Sequence, residues 1–149
     1  MRAGHVWLRA LLERPVTLKG IRLGVPVDAV LDSESLRVVG LEVLCSDELT
    51  RFLPLAAARI REDQVAVGSP LLLLEDDQRE FYRRGSRAFR SLAGAAVVRD
   101  GRRLGELVDV LAEADGAVVA VSARASGSAV SVYERAEVTI DPAAEVSAA

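Results

Sequence analysis

The chain has 149 residues, 19 Lys and Arg against 22 Asp and Glu, and a formal charge of −3. Residues 1–74 balance nine positive against nine negative charges, 75–91 carry five against four and 92–149 five against nine, so no segment forms the basic stripe of a general nucleic-acid binder. Half the residues are hydrophobic but only 4% are aromatic, so the core must be built mainly of Val, Leu and Ala. One cysteine, Cys45, excludes an internal disulfide, and its place after Val43-Leu44 predicts a small buried hydrophobe. No apolar run approaches 18 residues, which excludes a transmembrane helix. Val6-Trp7-Leu8 is cut by Arg9 and is too short for a signal-peptide core, so the expected compartment is the cytoplasm.

In chain order, the lead-in from Leu8 to Val16 contains Pro15, which opposes a regular helix through that point. From Arg22 to Leu31 the apolar residues Leu23, Val25, Val27, Ala29 and Leu31 alternate, the two-residue period of a half-buried strand. Pro26 cannot donate to a ladder and predicts an edge or a bulge there. Asp32-Ser33-Glu34-Ser35 reads as a turn into a second, β-branched strand, Arg37 to Leu44. A third strand over Thr50–Leu55, one helical turn over Ala56–Ile60 and a last strand over Gln64–Val67 complete the first half. Strands over 95–98, 102–112, 117–123, 129–133 and 137–140 repeat this spacing, which suggests small closed barrels. The tail 142–149 has no periodicity and is expected to be disordered.

Between the halves lies one helical candidate. Asp76 or Asp77 is placed to cap it, acidic residues lead it, Arg83 and Arg84 end it, and Gly85 fits the position just past its C-terminus. Leu71 to Leu74, with Phe81, Phe89 and Leu92, carry more apolar surface than a flexible tether, so this segment is expected to pack between the lobes.

The halves are copies. Gly20-Ile21-Arg22-Leu23-Gly24-Val25-Pro26-Val27-Asp28 matches Gly101-Arg102-Arg103-Leu104-Gly105-Glu106-Leu107-Val108-Asp109 at an offset of 81. Val38-Val39-Gly40-Leu41 matches Val118-Val119-Ala120-Val121 at an offset of 80, so the intervening turn has lost one residue.

With Leu12-Glu13-Arg14-Pro15-Val16 and Phe52-Leu53-Pro54-Leu55, this order of motifs resembles the PRC-barrel family, found in the H subunit of photosynthetic reaction centres and at the C-terminus of a ribosome maturation factor. The second copy departs from it: Ser126-Gly127-Ser128-Ala129 stands where Phe52-Leu53-Pro54-Leu55 would recur. The resemblance implies a mostly β chain of two small PRC-barrel-like barrels in tandem, over 1–74 and 92–141, joined by a short helical linker over 75–91. It further implies a docking module for another protein, in a membrane-associated or ribosome-related complex, without enzymatic activity or cofactor. Homodimerisation and peripheral membrane attachment are compatible with it.

The candidates for chemistry have simpler readings. Asp28 and Asp109 stand at equivalent positions of two repeats, which favours structural acceptors of backbone hydrogen bonds over an acid–base pair. Gly24 and Gly105 suggest a bulge or a close backbone approach, since no phosphate-binding glycine pattern surrounds them. His5 and Cys45 do not make a zinc site, and Glu75-Asp76-Asp77 lacks the spaced oxygens of a calcium loop. Phe81, Tyr82, Arg83, Arg84 and Arg87 are the one cluster with the composition of a partner surface. The alternative is a small-ligand or RNA-associated binder using the mouth of a barrel, which would show a concave apolar pocket.

Overall fold

The computed structural model describes residues 4–127 and 129–141, the side chains of Asp76, Asp77 and Arg83 excepted; the tail expected to be disordered lies outside the described residues. The fold is mostly β. In chain order its elements are β1 (His5–Trp7), α1 (Leu8–Leu11), β2 (Val16–Leu18), β3 (Ile21–Asp32), β4 (Val38–Cys45) and β5 (Thr50–Pro54). A 3-10 turn at Leu55–Ala57 leads to β6 (Ala58–Ile60) and β7 (Val65–Val67), and a second at Pro70–Leu72 to α2 (Asp76–Arg83). Then follow β8 (Ser86–Ala88), α3 (Phe89–Leu92), β9 (Ala96–Arg99), β10 (Arg102–Glu113), β11 (Val118–Arg124), β12 (Val130–Glu134), a 3-10 turn at Arg135–Glu137 and β13 (Thr139–Asp141).

Two curled sheets hold these strands, one in the order β5-β4-β3-β2-β7-β6 and one in the order β12-β11-β10-β9-β13. Their long hairpins are equivalent residue by residue. Pro26 faces Val43 and Asp28 faces Glu42, with a bulge at Val27; Leu107 faces Ala123 and Asp109 faces Ser122, with a bulge at Val108. Pro26 is tolerated because on the other side of β3 the pairing with β2 has ended at Gly24 and that with β8 begins only at Val30. A Cβ on Gly24 would lie 2.5 Å from the carbonyl of Leu44, and one on Gly105 2.7 Å from that of Arg124, so the repeated Leu-Gly marks a close backbone approach in both copies.

The strand pairing crosses the boundaries at 74 and 92. β1 joins β10 in the second sheet, with His5 opposite Glu113 and Trp7 opposite Leu111. β8 joins β3 in the first, with Ser86 opposite Asp32 and Ala88 opposite Val30. Each half lends the strand and helix that precede it to the other half, and the repeat extends back to His5 and Ser86 at the same offset of 81. The halves are also tied where Val38 donates its N–H to the carbonyl of Gly116 at 2.8 Å, beside an Arg37–Asp115 ion pair at 3.4 Å.

One continuous core results. It joins Leu8, Leu11, Phe89 and Leu92 from the exchanged helices to Leu31, Leu41 and Val43 of one sheet and Val110 and Val121 of the other. Leu23, Val25 and Val27, whose alternation predicts a buried face, are only half-buried, and Pro26 between them is buried instead.

The connection differs from a helical linker over 75–91. Its helix ends at Arg83, Gly85 takes a left-handed conformation with φ of 68°, and the chain continues as β8 and α3. Glu75, not Asp76 or Asp77, occupies the N-cap, with no side-chain capping bond. The segment is also divided in its packing. Phe89 and Leu92 lie in the shared core, whereas Leu74 pairs with Phe52 on the outside of the first sheet and Leu71 is 85% exposed. Continuous leucines on a 3-10 turn and a short extended stretch cannot all face one side, so only Leu73 is buried.

Candidate docking face

The described members of the cluster singled out in the sequence lie at or near the surface, Tyr82 half-buried and Phe81, Arg84 and Arg87 exposed. α2 lies along the first sheet beside β5 and β8, anchored where Arg79 Nε meets the buried Glu42 carboxylate at 3.0 Å. Its Tyr82 ring stacks on the fully buried Phe52 ring at a centroid distance of 4.7 Å. Phe81 packs edge-on against Tyr82 at 5.4 Å and is 72% exposed. The exposed aromatic therefore rests on a ring that is itself held by the core, which limits the side-chain entropy lost on binding.

Arg84 and Arg87 are exposed, Arg87 on β8 opposite Leu31. The side chain of Arg83 lies outside the described residues. β3, β4, β5, β8 and α2 enclose a hollow of about 400 Å³ lined by Val30, Glu42, Thr50, Arg79 and Arg87. Phe89, which shares the aromatic composition, belongs to the core, and Arg90, though exposed, is tied to β3. Arg90 donates its N–H to Asp28 and its Nε to the carbonyl of Val27.

Asp28 and Asp109 both act as backbone acceptors, but across the halves as well as within them. Asp28 Oδ1 accepts the N–H of Ala29 and of Arg90, at 2.9 and 3.1 Å. Asp109 Oδ1 accepts the N–H of Val110 and of Arg9, at 2.8 and 3.1 Å. Burial pushes the Asp109 carboxyl above its usual range, against the lowering effect of those hydrogen bonds. Cys45 is buried with its thiol near the carbonyl of Val43.

Sequence reasoning missed a groove of about 560 Å³ between the β3–β4 end and the stretch before α2, lined by Leu23, Cys45, Arg51, Leu71, Leu73 and Glu75. At its edge Arg51 grips Asp47 at 2.7 Å and Glu75 at 3.1 Å. The Asp47 carboxyl falls to about 2, chiefly through the hydrogen bonds from Arg51. The signal was Ser69-Pro70 ahead of four leucines: Ser69 Oγ accepts the N–H of Leu71 and starts a turn that presents Leu71 outward.

Among the described residues no helix is long and apolar enough to cross a membrane. No family model matches the chain, and no curated protein matches it.

Proposed function

We propose that this chain is a non-enzymatic docking module of two PRC-barrel-like lobes, joined through the segment around α2, that binds another protein through the face carrying Phe81, Tyr82, Arg84 and Arg87. The observation that carries the reading is Phe81. A large aromatic side chain stands 72% exposed on a ring anchored in the core, with two exposed arginines three and six residues further along the chain. Interface hot spots favour this combination of a rigid aromatic and a guanidinium, which bury large area and form directed hydrogen bonds. Asp28 and Asp109, the two carboxylates weighed for acid–base chemistry, are occupied with backbone N–H groups.

The test places a photo-crosslinking residue at position 81 in the native host, with Ile21, 68% exposed on β3, as the control position. A protein adduct formed at 81, absent at 21 and lost on Arg84→Glu with Arg87→Glu, supports the reading. Identical adducts at both positions count against it. Binding of a small molecule in the 560 Å³ groove, without a protein partner, would favour the alternative of a ligand-binding regulator.

A further inference from the structure

β5 and β12 are equivalent strands at the offset of 80, and each pairs with its inner neighbour in the same register: Phe52 opposite Glu42, Val132 opposite Ser122. Their outer edges differ. On β5, Phe52 donates its N–H to the carbonyl of Leu74 at 2.9 Å and accepts the N–H of Leu74 at 2.7 Å. That cover leaves Phe52 fully buried and Leu73 only 8% exposed. On β12 the shared register turns the N–H and C=O of Val132 to the same outer side, and among the described residues no strand pairs there. Val130 is 40% and Val132 60% exposed. Natural sheets blunt such an edge with charge or proline, and Val130-Ser131-Val132 carries neither.

A second observation concerns the groove beside each edge. The 560 Å³ groove of the first half is walled by Arg22, Leu23, Cys45 and Ser46 and closed by Leu71 and Leu73 of the covering segment. Arg103, Leu104, Ala125 and Ser126, at the equivalent positions, wall a hollow of about 520 Å³ in the second half that no covering segment among the described residues closes. In the first half the cover's Glu75 meets Arg51 on the edge strand itself; in the second half Arg124, exposed on the inner strand β11 opposite Val130, lines the hollow.

We propose that the outer edge of β12, centred on Val132, docks an extended, leucine-rich strand of a partner protein that ends in an acidic residue. The partner strand runs antiparallel, as Leu74 runs on Phe52, adding its backbone to the sheet, its leucines to the hollow and its carboxylate to Arg124. The site is separate from the α2 face and stands or falls independently of it.

The probe is a fluorescein-labelled peptide copying residues 69–80, titrated into the full chain by anisotropy, with amide hydrogen exchange as a second readout. Saturable binding is expected, weakened at least tenfold by Val132→Lys and by Arg124→Glu, and absent for a peptide with its leucines replaced by serine. The exposed amide of Val132 should exchange more slowly in the complex, a readout that requires no variant. Protection confined to β5, or binding indifferent to Val132→Lys, overturns the proposal. So does a wild-type dimer in sedimentation that Val132→Lys dissociates, which makes a second copy the occupant. A peptide that binds only after residues 142–149 are deleted overturns it as well, by making that segment the occupant.

Discussion

Arg90 donates its backbone N–H to Asp28 at 3.1 Å and its Nε to the carbonyl of Val27 at 2.6 Å, and Arg9 repeats both bonds to Asp109 and Val108 at 3.1 and 2.7 Å. Two carboxylates at bulges thus hold the two exchanged helices, and Arg9, 5.8 Å from the centre of the Phe89 ring, couples one helix to the other. Replacing Asp28 or Asp109 by Ala strips an acceptor from two backbone N–H groups and is expected to cost about 1–3 kcal/mol in urea unfolding. Asn keeps an acceptor oxygen and should cost much less.

The Asp109 site should make the stability of the fold depend on pH. Burial raises Asp109, so the folded protein holds that proton more tightly than the unfolded chain. Its ionisation therefore weakens the fold at neutral pH, and stability returns as pH falls through the folded value. Asp109→Asn should flatten that rise in unfolding free energies measured across the acidic range. An unchanged profile means the carboxylate is better solvated than its surroundings imply.

Cutting the chain between the exposed Arg84 and Gly85 leaves the first piece without β8 and α3 and the second without β1 and α1. Neither piece should give cooperative unfolding or dispersed amide spectra alone, and mixing them should restore both. Independent folding of either fragment would contradict the shared core.

Gly40 sits where a Cβ would clash with Phe52 Cζ and lie 2.5 Å from the carbonyl of Leu53, whereas the equivalent position in the second half is Ala120, two residues from Ser122, which faces Val132. Gly40→Ala is expected to destabilise by about 1–3 kcal/mol through overpacking. Against a Phe52→Val background the penalty should shrink by at least about 1 kcal/mol in a double-mutant cycle. Additive effects would mean that the Leu53 carbonyl, not the ring, sets the limit.

Arg51 holds Asp47 at about 2, so whatever stability this carboxylate adds is present above its unfolded value and is lost as pH falls through about 2. A carboxyl-carbon NMR titration of Arg51→Ala should find Asp47 moved up towards an ordinary aspartate.

The hairpins were legible because their requirements are local. Alternating apolar residues, a glycine at the close approach and an aspartate after the bulge leave the same imprint in each copy. The 3-10 turn and β12 that follow β11 kept the offset of 80, although Val130-Ser131-Val132 shares no motif with Thr50-Arg51-Phe52. The exchange of lead-ins was not legible. His5–Leu11 and Ser86–Leu92 share only Arg9 with Arg90, Leu11 with Leu92 and an apolar residue at Leu8 and Phe89. Their partners lie in the opposite half, and pairing at that distance leaves no period in a short segment. Phe81 and Phe89 were both expected to pack between the halves because composition does not separate Phe81, which faces solvent, from Phe89, which faces the core.

The exchange also sets an order of events during synthesis. β1 needs Leu111 to Glu113 as its partner, so it leaves the ribosome about a hundred residues before its place in a sheet exists. At cellular translation rates that is a wait of roughly 5–20 s. Throughout it Val6, Leu8 and Leu11, all buried in the finished molecule, have no sheet to cover them. β3 likewise waits for Ser86–Ala88 before its far end is paired. The nascent first half is thus a natural client for a ribosome-bound chaperone, and the first sheet closes once Ala88 has emerged, whereas the second must wait for the far end of the chain.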